Sequence, residues 1–385
     1  MPNHYFFSVS STAALDKIRV PVYGLGLISL ASMSVVVQSA EAQERVRDSM
    51  GVRIVDHGPL RQIAPFKIAD QPLLDLGGLR PIPSEEIDPR NPFLVARPLS
   101  DGRWVVVDWM TLRVFDAGGR YIRTVGTPGR GPGELGQVRD ICVAEGDTIV
   151  ALGLMDQRIA VFDSSGAHVS TTTVPDARIG ADACLGDRTL LVKRGAFPSL
   201  KTHAERFVQV DRVRWDGTLA AQFGLVPVES LDGTIQQVGN IAASRDRVFV
   251  GNGNTPEYRV YSGSGELLQI VRWKAQPKRV TPAMRQAAIR GGAIPGPDQR
   301  ESFPFYKTIR PAPGNAVWVQ DYSIPPAPVG YTVFDGNGSL IGRVELPGKM
   351  TRAGAVGWVG IDRVLLTWRD ADGAPHLTLH RLVVQ

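Results

Sequence analysis

An aromatic residue, a small polar residue and a glycine turn recur along the chain with a long, nearly regular period. Phe115-Asp116, Phe162-Asp163, Trp215-Asp216, Tyr261-Ser262 and Phe334-Asp335 each close an apolar run, and a glycine comes shortly after. The aromatic positions lie 47, 53, 46 and 73 residues apart. In this pattern the Asp closes an Asx-turn and the glycine supplies positive φ, so each unit marks a hairpin. Four short apolar runs flank each hairpin. In the first unit they fall at residues 93–96, 104–108, 112–116 and 121–125, and in the second at 140–143, 148–152, 158–163 and 168–174. Windows with helical period are scarce, and 41 Gly with 28 Pro favour turns.

A four-stranded unit every ~40–50 residues is the pattern of a propeller blade. Five units are complete. The sixth offers only three strands, at 356–361, 364–368 and 377–384, before the chain stops. A three-stranded last blade leaves an open sheet edge, and the unassigned strand at 66–76 is available to cover it. The expected fold is therefore all-β: a six-bladed β-propeller of four-stranded blades, with an N-terminal strand closing the last blade as its outermost strand. The long gap before Phe334 has its own cause. Thr281-Pro282 is an N-cap with Pro at the first helical position, and Gly291-Gly292 terminates the helix-favouring run between them. This predicts one short helical insert at about 281–290. Residues 43–60 are set apart as an N-terminal extension, polar over 45–50, and 61–385 as the propeller domain.

The stretch from Gly126 to Leu135 separates the first two units. Its four glycines and two prolines in ten residues exclude helix and central strand, so it is a crossover between blades, with Arg130 and Glu134 placed to pin it. Gly131, Gly133 and Gly136 match a dinucleotide fingerprint literally. The next element is a strand and not a helix, so no helix N-terminus is there to hold a pyrophosphate.

Residues 138–166, with Arg158-Ile159-Ala160-Val161-Phe162-Asp163 near their centre, resemble an NHL-type repeat, and residues 126–135 resemble the linker of such repeats. The chain is also similar to exported bacterial six-bladed propellers of unassigned function. The resemblance covers roughly residues 60–385, sharply in the first two units and more weakly in the third, fourth and sixth. It implies a fold and little about activity, because propellers host binders, scaffolds and enzymes alike.

Lys17 and Arg19 precede an uncharged run over 20–37, and Ala40-Glu41-Ala42 supplies a small-x-small cleavage pattern. Residues 1–42 therefore read as an export signal, which places the product in the periplasm or outside the cell. Left uncleaved, the run is about long enough to serve as an anchor; after cleavage no membrane span is expected. Asp16, Lys17, Arg19 and Glu41 cancel, so the remainder keeps the net charge of +5. It contains no long basic run, and nucleic acid is not an expected partner. Cys142 and Cys184 lie 42 residues apart on equivalent strands of neighbouring units. An exported chain allows a disulfide there, and a buried position allows two free thiols.

No nucleophile elbow, zincin helix or phosphate loop occurs. His376 and His380 share one strand face without a third ligand. In each blade, the crossovers and the loops joining second to third strands emerge on one face. We call it the loop face, and the opposite end, where the tight hairpins lie, the hairpin face. Loop-borne polar and aromatic groups on a rigid ring make a binding face, here Trp109, Arg130, Asp156, Arg194, His203, Asn254, Tyr322 and Arg369. The expectation is a cofactor-free binding module for a protein, peptide or glycan. The alternative is a metal-dependent enzyme resembling propeller lactonases or lyases. That resemblance implies a divalent cation such as calcium in the central channel, on Asp140, Asp182 and Asn240 near the starts of inner strands.

Overall fold

Each apolar run of the repeat pairs with its neighbour in sequence. The structure, a computed structural model, describes residues 44–60, 66–78, 86–91, 94–153, 156–175, 177–194, 206–228, 240–290, 301–323, 327–347, 350 and 354–384. The expected export signal at 1–42 and His203 lie outside these residues, as do the side chains of Asp182 and Asn240. Before the blades come β1 (Arg45–Ser49), β2 (Val52–Pro59), β3 (Phe66–Ile68) and β4 (Leu74–Asp75). Blade 1 is β5 (Ala96–Pro98), β6 (Trp104–Asp108), β7 (Thr111–Phe115) and β8 (Tyr121–Val125). The crossover holds β9 (Thr127–Pro128) and β10 (Glu134–Leu135). Blade 2 is β11 (Val138–Ala144), β12 (Thr148–Gly153), β13 (Arg158–Phe162) and β14 (His168–Thr173). Blade 3 is β15 (Ala177–Leu185), β16 (Thr189–Arg194), β17 (Arg206–Arg214) and β18 (Leu219–Val228). Blade 4 is β19 (Asn240–Ala243), β20 (Arg247–Gly251), β21 (Glu257–Ser262) and β22 (Leu267–Lys274). The helical insert α1 (Pro282–Arg290) comes next. Blade 5 is β23 (Tyr306–Pro311), β24 (Val317–Asp321), β25 (Gly330–Phe334) and β26 (Leu340–Glu345). Blade 6 opens with β27 (Ala355–Val359), β28 (Arg363–Arg369) and β29 (Pro375–Val384).

The ring has the expected six blades. Blade 6 is completed from the N-terminus: β3 and β4 both pair antiparallel with β29. One addition was not expected. β1 and β2 form a hairpin, and β2 lies parallel to β22, so blade 4 becomes a six-stranded sheet. The polar stretch over 45–50 thus includes strand β1, whose five residues are all exposed.

The repeat motif is the hairpin joining third to outermost strand. The Asp163 carboxylate accepts from the backbone N–H of Ser165 at 2.8 Å and of Ala167 at 2.9 Å. Asp116 and Asp335 do the same in blades 1 and 5. In blade 4 the hydroxyl of Ser262 takes over, accepting from Glu266 N–H at 3.0 Å. Gly166 sits at φ 82°, where a side chain is strained. The aromatics before these turns, Phe115, Phe162 and Phe334, are fully buried. Side chains alternate between the two faces of each blade, so the core lies between blades. Ile141 of β11 faces blade 1, whereas Cys142 faces blade 3.

Cys142 and Cys184 are bonded, with Cα atoms 5.9 Å apart. The bond staples the innermost strands of blades 2 and 3 and removes the free-thiol alternative. In the crossover, Glu134 accepts from Gly131 N–H at 2.6 Å and β9 pairs with β10. The glycine-rich stretch is therefore a folded link between strands.

Candidate functional site

The strand order fixes what each end of the ring carries. At the loop face, crossovers and second-to-third-strand turns are knitted together: Val138 N–H donates to Trp109 O at 2.9 Å, and Phe305 N–H to Gly253 O at 2.7 Å. Trp109, Arg130, Asp156, Arg194, Asn254, Tyr322 and Arg369 all lie on turns, crossovers or strand ends at this face.

Several of them work within the scaffold. Arg194 is paired with buried Asp211 and donates to Pro175 O at 3.0 Å. Arg369 donates to Pro89 O at 2.8 Å, to Gly373 O at 2.9 Å and to Asn91 O, binding the segment before blade 1 to blade 6. Asp156 packs against Gly136 and Gly153, where a Cβ would sit 2.5 and 1.9 Å from its carboxylate oxygens. Asn252 closes an Asx-turn by accepting from Asn254 N–H at 3.0 Å. Tyr322 packs at a tilt against Phe303, with ring centroids 5.3 Å apart. Arg130 is exposed and makes no ion pair among the described residues. Trp109 is half-buried at φ 58°, held in a tight turn.

Nearby charges are paired. Asp321 meets Arg343 at 2.5 Å, and Asp108 meets Arg113 at 2.5 Å. Burial pushes the Asp321 carboxyl up from its ordinary value, against the opposing pull of Arg343 and the Thr332 hydroxyl.

Of the three residues considered for a metal, Asp140 has a described side chain. It is fully buried, pairs with Arg97 at 3.1 Å and accepts from Ile141 N–H at 2.8 Å. Arg97 also donates to Gly357 O at 3.2 Å, so this pair ties the neighbouring blades 6, 1 and 2 together. Among the described residues no group of three or more His, Cys, Asp or Glu is gathered. His376 and His380 are likewise engaged. The Nδ1 of His376 lies 2.7 Å from Asp75, and the Nδ1 of His380 lies 2.8 Å from Ala69 O. Both help hold the N-terminal closing segment.

Sequence reasoning concentrated on the loop face and missed the opposite end. A cavity of about 370 Å³ opens there at the channel mouth. Its lining includes Arg97, Cys142, Cys184, Arg245, Asn315 and Trp358, so all six blades contribute. The available signal was slight: Ser244-Arg245 places a cation at a hairpin tip.

Residues 98–234 match the family model DUF5128, a 6-bladed beta-propeller. The fold is a six-bladed propeller. A protein from Bacteroides fragilis, named as exported, superposes with a TM-score of 0.51 at 10% identity over 86% of this chain and 99% of that one. A member of the DUF4221 family from Bacteroides vulgatus superposes with a TM-score of 0.53 at 10% identity over 84% and 100%. At such identity the likeness is one of architecture alone. No curated protein matches the chain in sequence. No helix among the described residues is long and apolar enough to cross a membrane.

Proposed function

We propose that this propeller is an exported binding module that holds a protein, peptide or glycan on its loop face. The observation that carries the reading is the asymmetry of connections. Chain segments of 195–205, 229–239 and 275–305 join strands at the loop face, while the third-to-outermost-strand hairpins at the other end span only residues such as 116–120 and 163–167. Long connections borne on a rigid ring are where recognition concentrates. Arg194 and Arg369 hold the scaffold and belong outside the test. Trp109, Arg130 and Tyr322 are the groups to change.

The experiment is binding of the purified chain to a glycan array and to a displayed peptide library, then the same with the triple variant Trp109→Ala, Arg130→Ala, Tyr322→Ala. The reading requires ligands selected by the native chain to be lost in the variant at unchanged melting temperature. Equal retention by the variant removes this face as the recognition surface.

A further inference from the structure

We propose that the cavity at the hairpin end of the channel binds a small organic anion with an apolar body. The site lies on the face opposite the one assigned above and does not depend on that reading.

Its size, about 370 Å³, is that of a small-molecule site. Most of its wall is apolar: Val143, Pro311, Ala312, Val359, the Trp358 ring and the disulfide. Two arginines, Arg97 and Arg245, belong to the lining, and among the described residues no carboxylate does. Arg97 is already matched by Asp140 at 3.1 Å. Arg245 is exposed and makes no ion pair among the described residues. Aspartates on the turns around it have other partners: Asp246 meets Arg247 at 2.7 Å, Asp362 meets Arg363 at 3.0 Å, and Asp187 meets Arg212. Among the described residues the mouth thus presents one cation without an ion-pair partner beside an apolar hollow.

The turn carrying Arg245 is fixed before any ligand arrives. Gly186 N–H of blade 3 donates to Arg245 O at 2.8 Å, and the Ser244 hydroxyl lies 2.8 Å from Asn315 Oδ1 of blade 5. A Cβ on Gly186 would come within 2.4 Å of Arg245 Cγ, so the glycine permits this approach. These contacts fix the backbone from which the Arg245 side chain springs; its guanidinium can pair with a carboxylate or sulfonate, and the body of the ligand gains by leaving water.

Fluorescence titration of the full chain with anilinonaphthalene sulfonate, and with its neutral counterpart phenylnaphthylamine, separates charge from apolar burial. One saturable site for the anion is expected. Arg245→Gln, at an exposed position, should weaken the anion about tenfold and the neutral dye less than about twofold, with Arg245→Lys between. Ala312→Trp fills the cavity and should abolish both, and a circular-dichroism melt confirms that each variant folds. Trp109→Ala and Tyr322→Ala should leave the anion's affinity unchanged. The proposal is overturned by absence of saturable binding, by an Arg245→Gln affinity equal to the native one, or by a loss that tracks the loop-face variants instead.

Discussion

Blades 4 and 6 both receive strands from the N-terminal segment, and they receive them for different reasons. Blade 6 lacks an outermost strand, and β3 with β4 supplies it. The pairing continues through irregular backbone: Leu73 N–H donates to Leu379 O at 2.7 Å, Leu76 to Leu377 O at 3.0 Å and Gly78 to Pro375 O at 2.8 Å. Leu76 is fully buried in the core shared with blade 1. Blade 4 already has four strands. There β2 runs parallel to β22 and fills the seam toward blade 5, with Val55 fully buried and His57 donating from Nε2 to Gly338 O at 2.8 Å. The turn holding Gly338 lies so close that a Cβ would meet Val271 at 2.7 Å and Val55 at 3.2 Å. One addition closes the ring; the other thickens a closed one.

The largest effect should come from breaking the closure. Replacing residues 66–76 with a Gly-Ser linker leaves β29 as a bare edge and should abolish cooperative unfolding, measured by thermal melt and soluble yield. The point variant Leu76→Ala should cost about 2–5 kcal/mol in denaturant titration. A second closure gives a standard of comparison. Removing the Cys142–Cys184 bond, whose ends are 42 residues apart, should cost about 4 kcal/mol if the chain-entropy account holds. A loss well above that figure would mean that the packing of blade 2 on blade 3 depends on the bond.

Deleting residues 44–60 is the matching test on blade 4. The ring stays closed, so the melt should remain cooperative at a lower midpoint. Val55→Ala should account for about 1.5–3 kcal/mol of the loss, since Val55 supplies much of the apolar burial. If the deletion instead destroys folding, the hairpin is part of the ring and the distinction between the two additions is wrong.

The two additions also differed in how far sequence revealed them. Three strands in the last unit demanded a fourth, and the run at 66–76 was the free candidate, so the closure was legible. Nothing in blade 4 asked for a fifth strand. The all-exposed β1 carries no alternation that marks it as sheet, and Arg45–Ser49 reads as polar coil. The loop-face residues were legible as positions and not as roles. Arg194 and Arg369 look like ligand groups until Asp211 and the carbonyls of Pro89 and Asn91 appear beside them. Those partners lie 17 to 280 residues away, beyond any local pattern. The hairpin-face cavity was illegible for a related reason: each blade gives it only a few residues from turns that are structural when taken singly.

Acid offers the finest separation of the two additions. Beside β4, His376 lies flat on Trp368 with ring centroids 4.2 Å apart, and its Nε2 is 3.4 Å from Asp370. Burial alone would raise the Asp370 carboxyl. The Ala374 N–H, His376 and the Asp372 N–H outweigh it and hold the group below its ordinary 3.8. A carboxyl depressed in the folded state contributes stability that is present above its unfolded value and lost as pH falls through the folded one. Hydrogen exchange should therefore show residues 73–78 losing protection relative to 52–59 as pH drops from about 5 to about 3. Asp370→Asn keeps an acceptor for the turn but cannot titrate, and should flatten that ratio. An unchanged ratio in the variant would place the acid sensitivity of the closure elsewhere than at Asp370.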